Sequence, residues 1–223
     1  LMSCQRTPIF TIDGVIANAE EETLYLEHTA LLKTTVIDSC ILSAKGDFSF
    51  SAPAPQYPDF YRLRISNNSL ILAVDSTETI TINTTRDSLA STLAIAGSTN
   101  SFAIAQLRSL ARNHSREDLR EHAKQLIVAN PRSLAAYYAV FFKLNGEYIW
   151  NMYDPSDRRM YQAVATSFHI WMPDYERTTA LYAQVSSVLK AEREIQQQIA
   201  VRQIIDNAEN ALLDIALKDD NNI

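Results

Sequence analysis

The amino-acid sequence predicts an α+β fold, in which an N-terminal antiparallel β-sandwich is followed by a C-terminal all-helical region. Up to Gly97, apolar residues alternate with polar ones in short segments spaced by about ten residues, as in sandwiches. After Gly97 the apolar residues recur with a helical period, and Gly146 is the one glycine that follows. We therefore place a β-sandwich domain at residues 9–97 and a helical spacer domain at residues 98–212.

The stretch 36–50 is the centre of the predicted β domain. It reads as two strands joined by the polar, glycine-containing connection 43–47, which favours a hairpin. Phe48 and Phe50 alternate with polar residues, so one face of the second strand is expected to point into a core. Further strands are predicted at 10–15, 23–28, 60–65, 70–74 and 79–84, and the three prolines within 51–58 indicate a loop or an edge. The strand 60–65 alternates, which predicts Tyr61, Leu63 and Ile65 on one face and Phe60, Arg62 and Arg64 on the other.

Roughly five helices are predicted in the second half, at 101–113, 115–130, 133–144, 157–171 and 174–212. Ser115 is suited to cap the second of them, and Pro131 follows its end. The third is apolar around its circumference and is expected to be buried. The last contains no Gly or Pro that would stop it, so we expect it to be long and bent.

Composition and charge exclude several classes of protein. The chain has 223 residues, of which 47% are hydrophobic and 21% charged, which is typical of a globular protein with a sizeable core. No apolar run approaches the roughly 20 residues that a spanning helix requires. The formal net charge of −6 argues against nucleic acid as a partner, because such surfaces need clustered Lys and Arg.

Two cysteines occur, and their separation gives neither a CxxC motif nor a zinc-ligand pair. Leu1-Met2-Ser3-Cys4 resembles the end of a bacterial lipoprotein signal peptide, so Cys4 is the candidate lipidation site and residues 1–8 a signal remnant and tether. The alternative for Cys4 is a free N-terminal thiol. Cys40, within a predicted strand, is interpreted as a small buried hydrophobic residue.

No constellation of residues predicts catalysis, a metal site or a cofactor. The four histidines, His28, His114, His122 and His169, accompany no nucleophile motif and show no i, i+4 pair of metal ligands. We therefore expect them to be structural or solvated. The acidic run 20–22 is explained by a charged turn between strands.

Aromatic residues are concentrated in the helical half, where twelve of the 20 fall between Tyr137 and Tyr182. Those at helical spacing are expected in the core. Trp150, Tyr153 and Trp171 lie at the ends of segments, and aromatic side chains in such places can anchor a protein or stack on a sugar. These three are therefore the candidate partner contacts.

The order of short motifs resembles the N-terminal β domain and helical spacer of bacterial envelope lipoproteins that carry a thioredoxin-like (TlpA/AhpC-TSA type) domain behind them. The motifs are Phe10-Thr11-Ile12-Asp13-Gly14, Leu24-Tyr25-Leu26, Asp38-Ser39-Cys40, Gly46-Asp47-Phe48-Ser49-Phe50, Pro58-Asp59-Phe60-Tyr61-Arg62-Leu63, Gly97-Ser98, Asn130-Pro131-Arg132-Ser133 and Met172-Pro173-Asp174. Cys40 stands where that family usually has Ala. The β domain of the family has no assigned activity.

The C-terminal residues 213–223 resemble the first strand of the thioredoxin-like domain, although Leu213 replaces a usual Pro and Asn222 a usual Gly. The resemblance implies a non-catalytic accessory region of a membrane-anchored thiol-disulfide oxidoreductase-like lipoprotein, facing the periplasm. This region would position the redox domain of the same parent chain or bind its protein client. The alternatives are a stand-alone envelope lipoprotein that binds a glycan or a protein and, less favoured, an unrecognised hydrolase.

Overall fold

The computed structural model describes residues 7–220, with side chains described through Leu212. Two four-stranded sheets form the first half and five helices dominate the second, which confirms the predicted α+β class. The strands of the first half are β1 Ile9–Ala17, β2 Thr23–Thr29, β3 Thr34–Ile41, β4 Asp47–Pro53, β5 Asp59–Ile65, β6 Asn68–Val74, β7 Thr79–Thr85 and β8 Ile95–Ala96.

The strand order is β4-β1-β7-β8 in the first sheet and β3-β2-β5-β6 in the second. All of these pairs are antiparallel except β1 with β7, which run parallel with Ile12 beside Ile80. The prediction was a purely antiparallel sandwich, whereas the structure contains one parallel pair among antiparallel ones. Alternation of side chains along a strand is the same in both arrangements, so the sequence pattern could not distinguish them.

The hairpin predicted at 36–50 is wrong, although both of its strands exist. β3 pairs with β2 in one sheet, whereas β4 pairs with β1 in the other. The connection between them crosses from sheet to sheet, and Leu42 is buried at the crossing with 1% exposure. Because this connection also contains a tight turn, closed by the Gly46 amide on the Ser43 carbonyl at 2.8 Å, it has the local signature of a hairpin.

The space between the sheets is the first core. The alternating pattern of β5 is confirmed here, because Tyr61, Leu63 and Ile65 face this core while Arg62 and Arg64 face away. Each large apolar side chain that is fully buried contributes about 1.5–3 kcal/mol relative to an exposed one. The largest fully buried ones here are Phe10, Phe50, Ile12, Ile16, Leu24, Leu26, Leu42, Leu63, Ile65, Leu70 and Leu72.

The helices are α1 Thr99–Asn113, α2 Arg116–Ala129, α3 Leu134–Val140, α4 Pro155–Trp171 and α5 Glu176–Asp220. The side chains of Ser98, Ser115, Ser133 and Asp154 cap the first four by accepting hydrogen bonds from amides of the first turn. The cap predicted at Ser115 is confirmed.

The third helix ends earlier than predicted. α3 stops at Val140, and the chain then forms a small hairpin of β9 Lys143–Leu144 and β10 Glu147–Tyr148. Asn145 and Gly146 make the turn with φ of 53° and 87°, the left-handed backbone that an Asn-Gly pair adopts readily. This dipeptide was the sequence signal for the break.

The helical half packs on the outer face of the β3-β2-β5-β6 sheet and makes a three-layered molecule. Phe60 and Ala73 of that sheet belong to the second core, which otherwise consists of helical and loop residues. Ser98 and Ser101 of the α1 start each donate a hydroxyl hydrogen bond to the Ala73 carbonyl at 3.0 Å, and the Ala73 amide donates to Ser101 Oγ at 2.9 Å. Two cores on opposite faces of one sheet therefore share that sheet as a common wall.

α5 is a 45-residue helix, so at 1.5 Å per residue it is about 68 Å long. It continues through residues 213–220, where a strand was predicted; no Gly or Pro interrupts the run from Glu176 to Asp220. The outer part of α5 exposes Ile195, Ile199, Val201, Ile204, Ile205 and Leu212. Within the described residues, no helix combines the length and apolar character needed to cross a membrane.

Candidate functional site

The sandwich and the helical half are joined by a buried polar cluster centred on Asp59 of β5. Asp59 Oδ1 accepts hydrogen bonds from the Tyr175 hydroxyl at 2.8 Å and from Arg177 Nε at 3.2 Å. Its other oxygen lies 2.7 Å from His28 Nε2, and Arg177 also donates to the Thr29 carbonyl. Burial and the neighbouring Asp59 carboxylate raise the pKa of Tyr175, so this phenol stays protonated and donates to Asp59.

A second carboxylate is buried on the same outer face of the sheet. Glu27 is 3% exposed and accepts hydrogen bonds from Arg62 Nε at 2.6 Å and Arg64 Nε at 2.8 Å. Burial opposes its charge, but the hydrogen bonds from both guanidinium groups prevail and lower the pKa of Glu27. The charges of Glu27, Arg62 and Arg64 are matched by one another, so we interpret this group as structural.

Between this sheet and the helices lies a cavity of about 610 Å³, which we call the interlayer cavity. Its floor is formed by Thr29, Phe60 and Ile71 of the sheet. Its apolar walls come from α3 and the residues that follow it, and they are largely aromatic: Tyr137, Tyr138, Phe141 and Phe142. Burial raises the pKa of both tyrosines, so their phenol groups remain neutral and able to donate a hydrogen bond.

Four basic side chains line the interlayer cavity: Arg108 and Arg112 of α1, Lys143 of β9 and Arg177 of α5. Among the described side chains that line the cavity there is no carboxylate. Arg177 is paired with Asp59, whereas the ion pairs among the side chains of residues 7–212 include none of the other three cations. The chain as a whole has a net charge of −6, so this cluster of positive side chains without an ion-pair partner is a property of the cavity and not of the whole surface.

Trp150, one of the predicted partner contacts, does not lie at the surface, because its side chain is buried with 5% exposure. The indole N–H donates to the Ala139 carbonyl at 3.2 Å, and the Arg120 guanidinium lies 4.3 Å from the ring centroid. Arg120 is held in turn by Asp157, which it contacts at 2.5 Å. Trp150 fills the helical core because the β9-β10 hairpin folds it inward, a turn that the sequence prediction missed.

Tyr153 and Trp171 are exposed, with 78% and 62% of their surface accessible, so both remain candidate contacts. They lie near opposite ends of the 17-residue helix α4 and line different cavities. Trp171 stacks with Arg132, whose guanidinium is 4.8 Å from its ring centroid. The three predicted contact residues therefore do not form one surface.

Cys4, the predicted lipidation site, lies outside the described residues. Cys40 is a free, partly buried thiol packed against the sandwich core, and burial raises its pKa, so it has little thiolate character. Of the histidines, His28 binds Asp59 and His169 stacks on Tyr182 at 4.3 Å. The described residues contain no group of three or more His, Cys, Asp or Glu side chains that could hold a metal ion.

Comparison with known proteins gives one family match. Residues 10–101 match the family described as "Domain of unknown function (DUF4369)". No curated protein matches the chain. Among solved structures, a 9R-lipoxygenase from Cyanothece PCC8801 aligns over 59% of this chain and 26% of its own, with 7% identity and a TM-score of 0.26. This chain thus spans about a quarter of that enzyme's length, and so low a score says nothing of fold or function.

The sequence prediction missed the interlayer cavity and the Asp59 cluster. Their residues come from segments far apart in the chain: Asp59 and Arg177 are separated by 118 positions. Two signals pointed towards the cavity. Arg108 and Arg112 are one helical turn apart, and Tyr137, Tyr138, Phe141 and Phe142 cluster within six residues of sequence.

Proposed function

We propose that this chain is the non-catalytic accessory region of a membrane-anchored, thiol-disulfide oxidoreductase-like lipoprotein of the thioredoxin family, and that it positions the redox domain or binds its client. The match of residues 10–101 to a domain of unknown function is compatible with a role of this kind. The order of sequence motifs supports the rest of the assignment.

The observation that carries the proposal is the way in which α5 is attached to the rest of the molecule. Its first turn is fixed to the sandwich by the buried Arg177–Asp59 pair and by Glu176, whose Oε1 accepts a hydrogen bond from the Leu31 amide at 2.7 Å. Its middle packs on α4, where Arg158 Nη2 contacts Glu192 Oε2 at 2.5 Å. A helix held at its base and free along its outer part is suited to hold a following domain at a set distance.

The outer part of α5 also suits contact with a protein. Val201, Ile204, Ile205 and Leu212 recur at helical spacing and are each more than half exposed. Apolar side chains that are exposed together on one face of a helix are typical of a surface that binds a protein. The adjoining redox domain, or a client held near it, would cover this face.

The non-catalytic role is tested by insulin reduction. We expect this chain, with dithiothreitol, to precipitate insulin no faster than dithiothreitol alone, because its two cysteines form no CxxC dithiol and burial raises the pKa of Cys40. The matched control is Cys40→Ser. Acceleration by the unmodified chain that Cys40→Ser abolishes would show a catalytic thiol and overturn the proposal.

The lipid anchor at Cys4 is tested by metabolic labelling of the protein expressed from its natural gene. Cys4→Ser should abolish incorporation of labelled palmitate and release the protein from the membrane fraction. Cys40→Ser is the matched control and should keep both the label and the membrane association. Equal labelling of the two variants would contradict the assignment.

A second candidate function is a stand-alone envelope lipoprotein that binds a glycan or a protein. The exposed Trp171 favours it, because its ring lines a cavity of about 310 Å³ together with Asp75, Asn100 and Arg132, side chains that pair well with hydroxyl groups. The gene sequence after Ile223 separates the two. A CxxC motif in a following domain supports the accessory role, and a stop codon supports the stand-alone protein.

A further inference from the structure

We propose that the interlayer cavity binds a small molecule with one anionic head, a carboxylate above all, and an aromatic body. The inference concerns this chain's own cavity and does not depend on a neighbouring redox domain. Its size is appropriate, since cavities of about 300–1,000 Å³ hold most small ligands and this one has about 610 Å³.

The charge of the head follows from the cations at the cavity. Arg108 and Arg112 are four residues apart on α1 and lie on the same side of the helix, so their guanidinium groups can converge on one anion. Neither takes part in an ion pair within the described residues, and Arg112 donates only to the Ala90 carbonyl at 3.3 Å. Guanidinium groups bind carboxylates in a bidentate manner, which makes them suited to this role.

Arg177 has a different part, because its charge is already matched by Asp59 at 3.2 Å. It lines the cavity beside Phe60, with its guanidinium carbon 5.0 Å from the centroid of that ring. The anion is therefore expected at the α1 end, where positive charge is unmatched, and the apolar body is expected towards Phe60.

The nature of the body follows from the walls. Tyr137 lies with its ring centroid 6.1 Å from that of Phe60 and 5.1 Å from that of Phe141, at interplanar angles of 46° and 50°. Tilted rings at these distances leave faces and edges on which another ring packs favourably. An aromatic body gains both apolar burial and ring contacts here.

A polar group of the floor adds an orienting contact. Thr29 lines the cavity, and its hydroxyl oxygen is buried with no hydrogen-bond partner within the described residues. A buried hydroxyl without a partner is costly, and a ligand that offers it a hydrogen bond removes that cost. The Tyr138 phenol, kept neutral by burial, is available to donate to the anion from the same wall.

The test is calorimetric titration of the whole chain with three probes that share one body: 4-phenylbutanoate, 4-phenylbutan-1-ol and 4-phenylbutylamine. We expect the carboxylate to bind about tenfold more tightly than the alcohol, and the amine to bind least. Raising the salt concentration should weaken binding of the carboxylate and leave that of the alcohol unchanged. Equal binding of the carboxylate and the amine, or no binding of any probe, would overturn the proposal.

Two variants locate the site. Arg108→Gln and Arg112→Gln should each weaken the carboxylate about tenfold and leave the alcohol unchanged, because only the charged contact is lost. Arg159→Gln, an exposed arginine of α4 away from the cavity, is the matched control and should change neither. Arg112 is itself exposed, so its replacement leaves the fold intact. Unchanged carboxylate affinity in both cavity variants would contradict the assignment.

A peptide C-terminus carries the same chemistry and is distinguished by a fourth probe. A pentapeptide ending in Phe, with a free carboxylate, is compared with its C-terminal amide. Binding of the free peptide more tightly than 4-phenylbutanoate, with loss of binding in the amide, would replace the small molecule by a protein terminus and overturn the proposal as stated. Weaker binding of the peptide supports it.

Discussion

The inner faces of the sandwich meet through aliphatic and aromatic side chains, whereas the helical half also buries charged side chains within its packing. In the sandwich, β1 alone contributes Phe10, Ile12 and Ile16, each with no exposed surface. In the helical half, Asp157, Arg158 and Arg177 are each less than a tenth exposed and are held by ion pairs.

The difference teaches which half depends on the other. Apolar burial is non-directional, so the sandwich core is stabilised by contacts that any well-packed neighbour supplies. Buried ion pairs require an exact partner, and loss of one partner leaves an uncompensated charge. The helical half uses a partner from the sandwich, Asp59, and part of its apolar floor is Phe60. We therefore expect the helical half to unfold first when the contact between the layers is damaged.

The largest expected effect comes from Asp59→Ala. It leaves Arg177 buried without its carboxylate and removes the acceptor of Tyr175, which should lower the free energy of unfolding by about 3–5 kcal/mol. Both tryptophans of the chain lie in the helical half, so their fluorescence in urea reports that half alone. We expect the fluorescence transition to move to lower urea than the loss of hydrogen-exchange protection of the β-strand amides in the sandwich.

The matched control for this change is Asp87→Ala. Asp87 also pairs with an arginine, Arg86 at 3.2 Å, but its side chain is 87% exposed. An exposed ion pair contributes at most about 1 kcal/mol. Coincident transitions in Asp59→Ala, as in Asp87→Ala, would contradict the dependence of one half on the other.

The next effect tests the sandwich through a glycine. Gly14 of β1 has a φ of 140°, and a Cβ at this position would lie 1.9 Å from the Ile82 carbonyl oxygen of β7. Gly14→Ala should therefore separate the parallel β1–β7 pair and cost about 3 kcal/mol or more. Gly146→Ala, in the hairpin of the helical half, meets nothing within 4 Å at its φ of 87° and should cost only the left-handed backbone, about 1–2 kcal/mol.

Midpoints of urea unfolding measure both changes. In Gly14→Ala the sandwich is damaged directly, and the helical half loses its floor, so both signals should shift together. A larger shift for Gly146→Ala than for Gly14→Ala would show that the close approach of β1 and β7 has no role in stability.

A smaller effect with a pH signature is expected from Asp157→Asn. Hydrogen bonds from Arg120 lower the pKa of Asp157 below its usual value of 3.8, against the effect of its burial. The stabilisation is therefore complete above about pH 4 and lost as pH falls through the lower value of the folded state. Asp157→Asn should cost about 1.5–3 kcal/mol at pH 7 and lose less further stability than the unmodified protein on acidification from pH 5 to pH 2.

The β6–β7 connection should respond to acid with the opposite sign. Burial raises the pKa of Asp75 and Glu78, so protonation of these carboxyl groups favours the folded state as pH falls through their raised values. Asp75→Asn should therefore steepen the loss of stability on acidification. Unfolding curves measured at several pH values compare each variant with the unmodified protein. If both variants lost more stability than that protein on acidification, or both lost less, the two assigned causes would be contradicted.

The smallest effect is expected from Trp171→Ala. Its ring is largely exposed and contacts Arg132 at the surface, so the free energy of unfolding should change by no more than about 0.5 kcal/mol. Trp150→Ala, which empties a buried site, is the matched control and should cost about 3–5 kcal/mol. Circular dichroism in urea measures both, and similar costs would show that Trp171 belongs to the core.

Local patterns predicted the elements well, and long-range pairing escaped them. Alternation placed Tyr61, Leu63 and Ile65 on one face of β5, because the period of a strand depends on the strand alone. The partner of β4 could not be predicted in this way, since its choice between β3 and β1 depends on which sheet the crossing at Leu42 reaches.

For the candidate site the same limit applies more strongly. Tyr153, Trp171 and Trp150 were chosen because they lie at the ends of predicted segments. The first two are exposed, but Trp150 is buried, because its direction is set by a turn five residues earlier at Asn145. The interlayer cavity combines side chains from β2, β5, β6, β9, α1, α3 and α5. No spacing within a single segment predicts such an arrangement.

The parallel pairing of β1 with β7 also constrains how the protein is made. Asp13 and its partner Thr81, joined at 2.8 Å, are 68 positions apart, so the first strand emerges from the ribosome long before its neighbour exists. Contacts of such high sequence separation slow folding. During translation, one edge of β1 stays unpaired until Thr85 has been synthesised. The helices follow later in the sequence and pack on the other sheet, so they reach their final positions only after that.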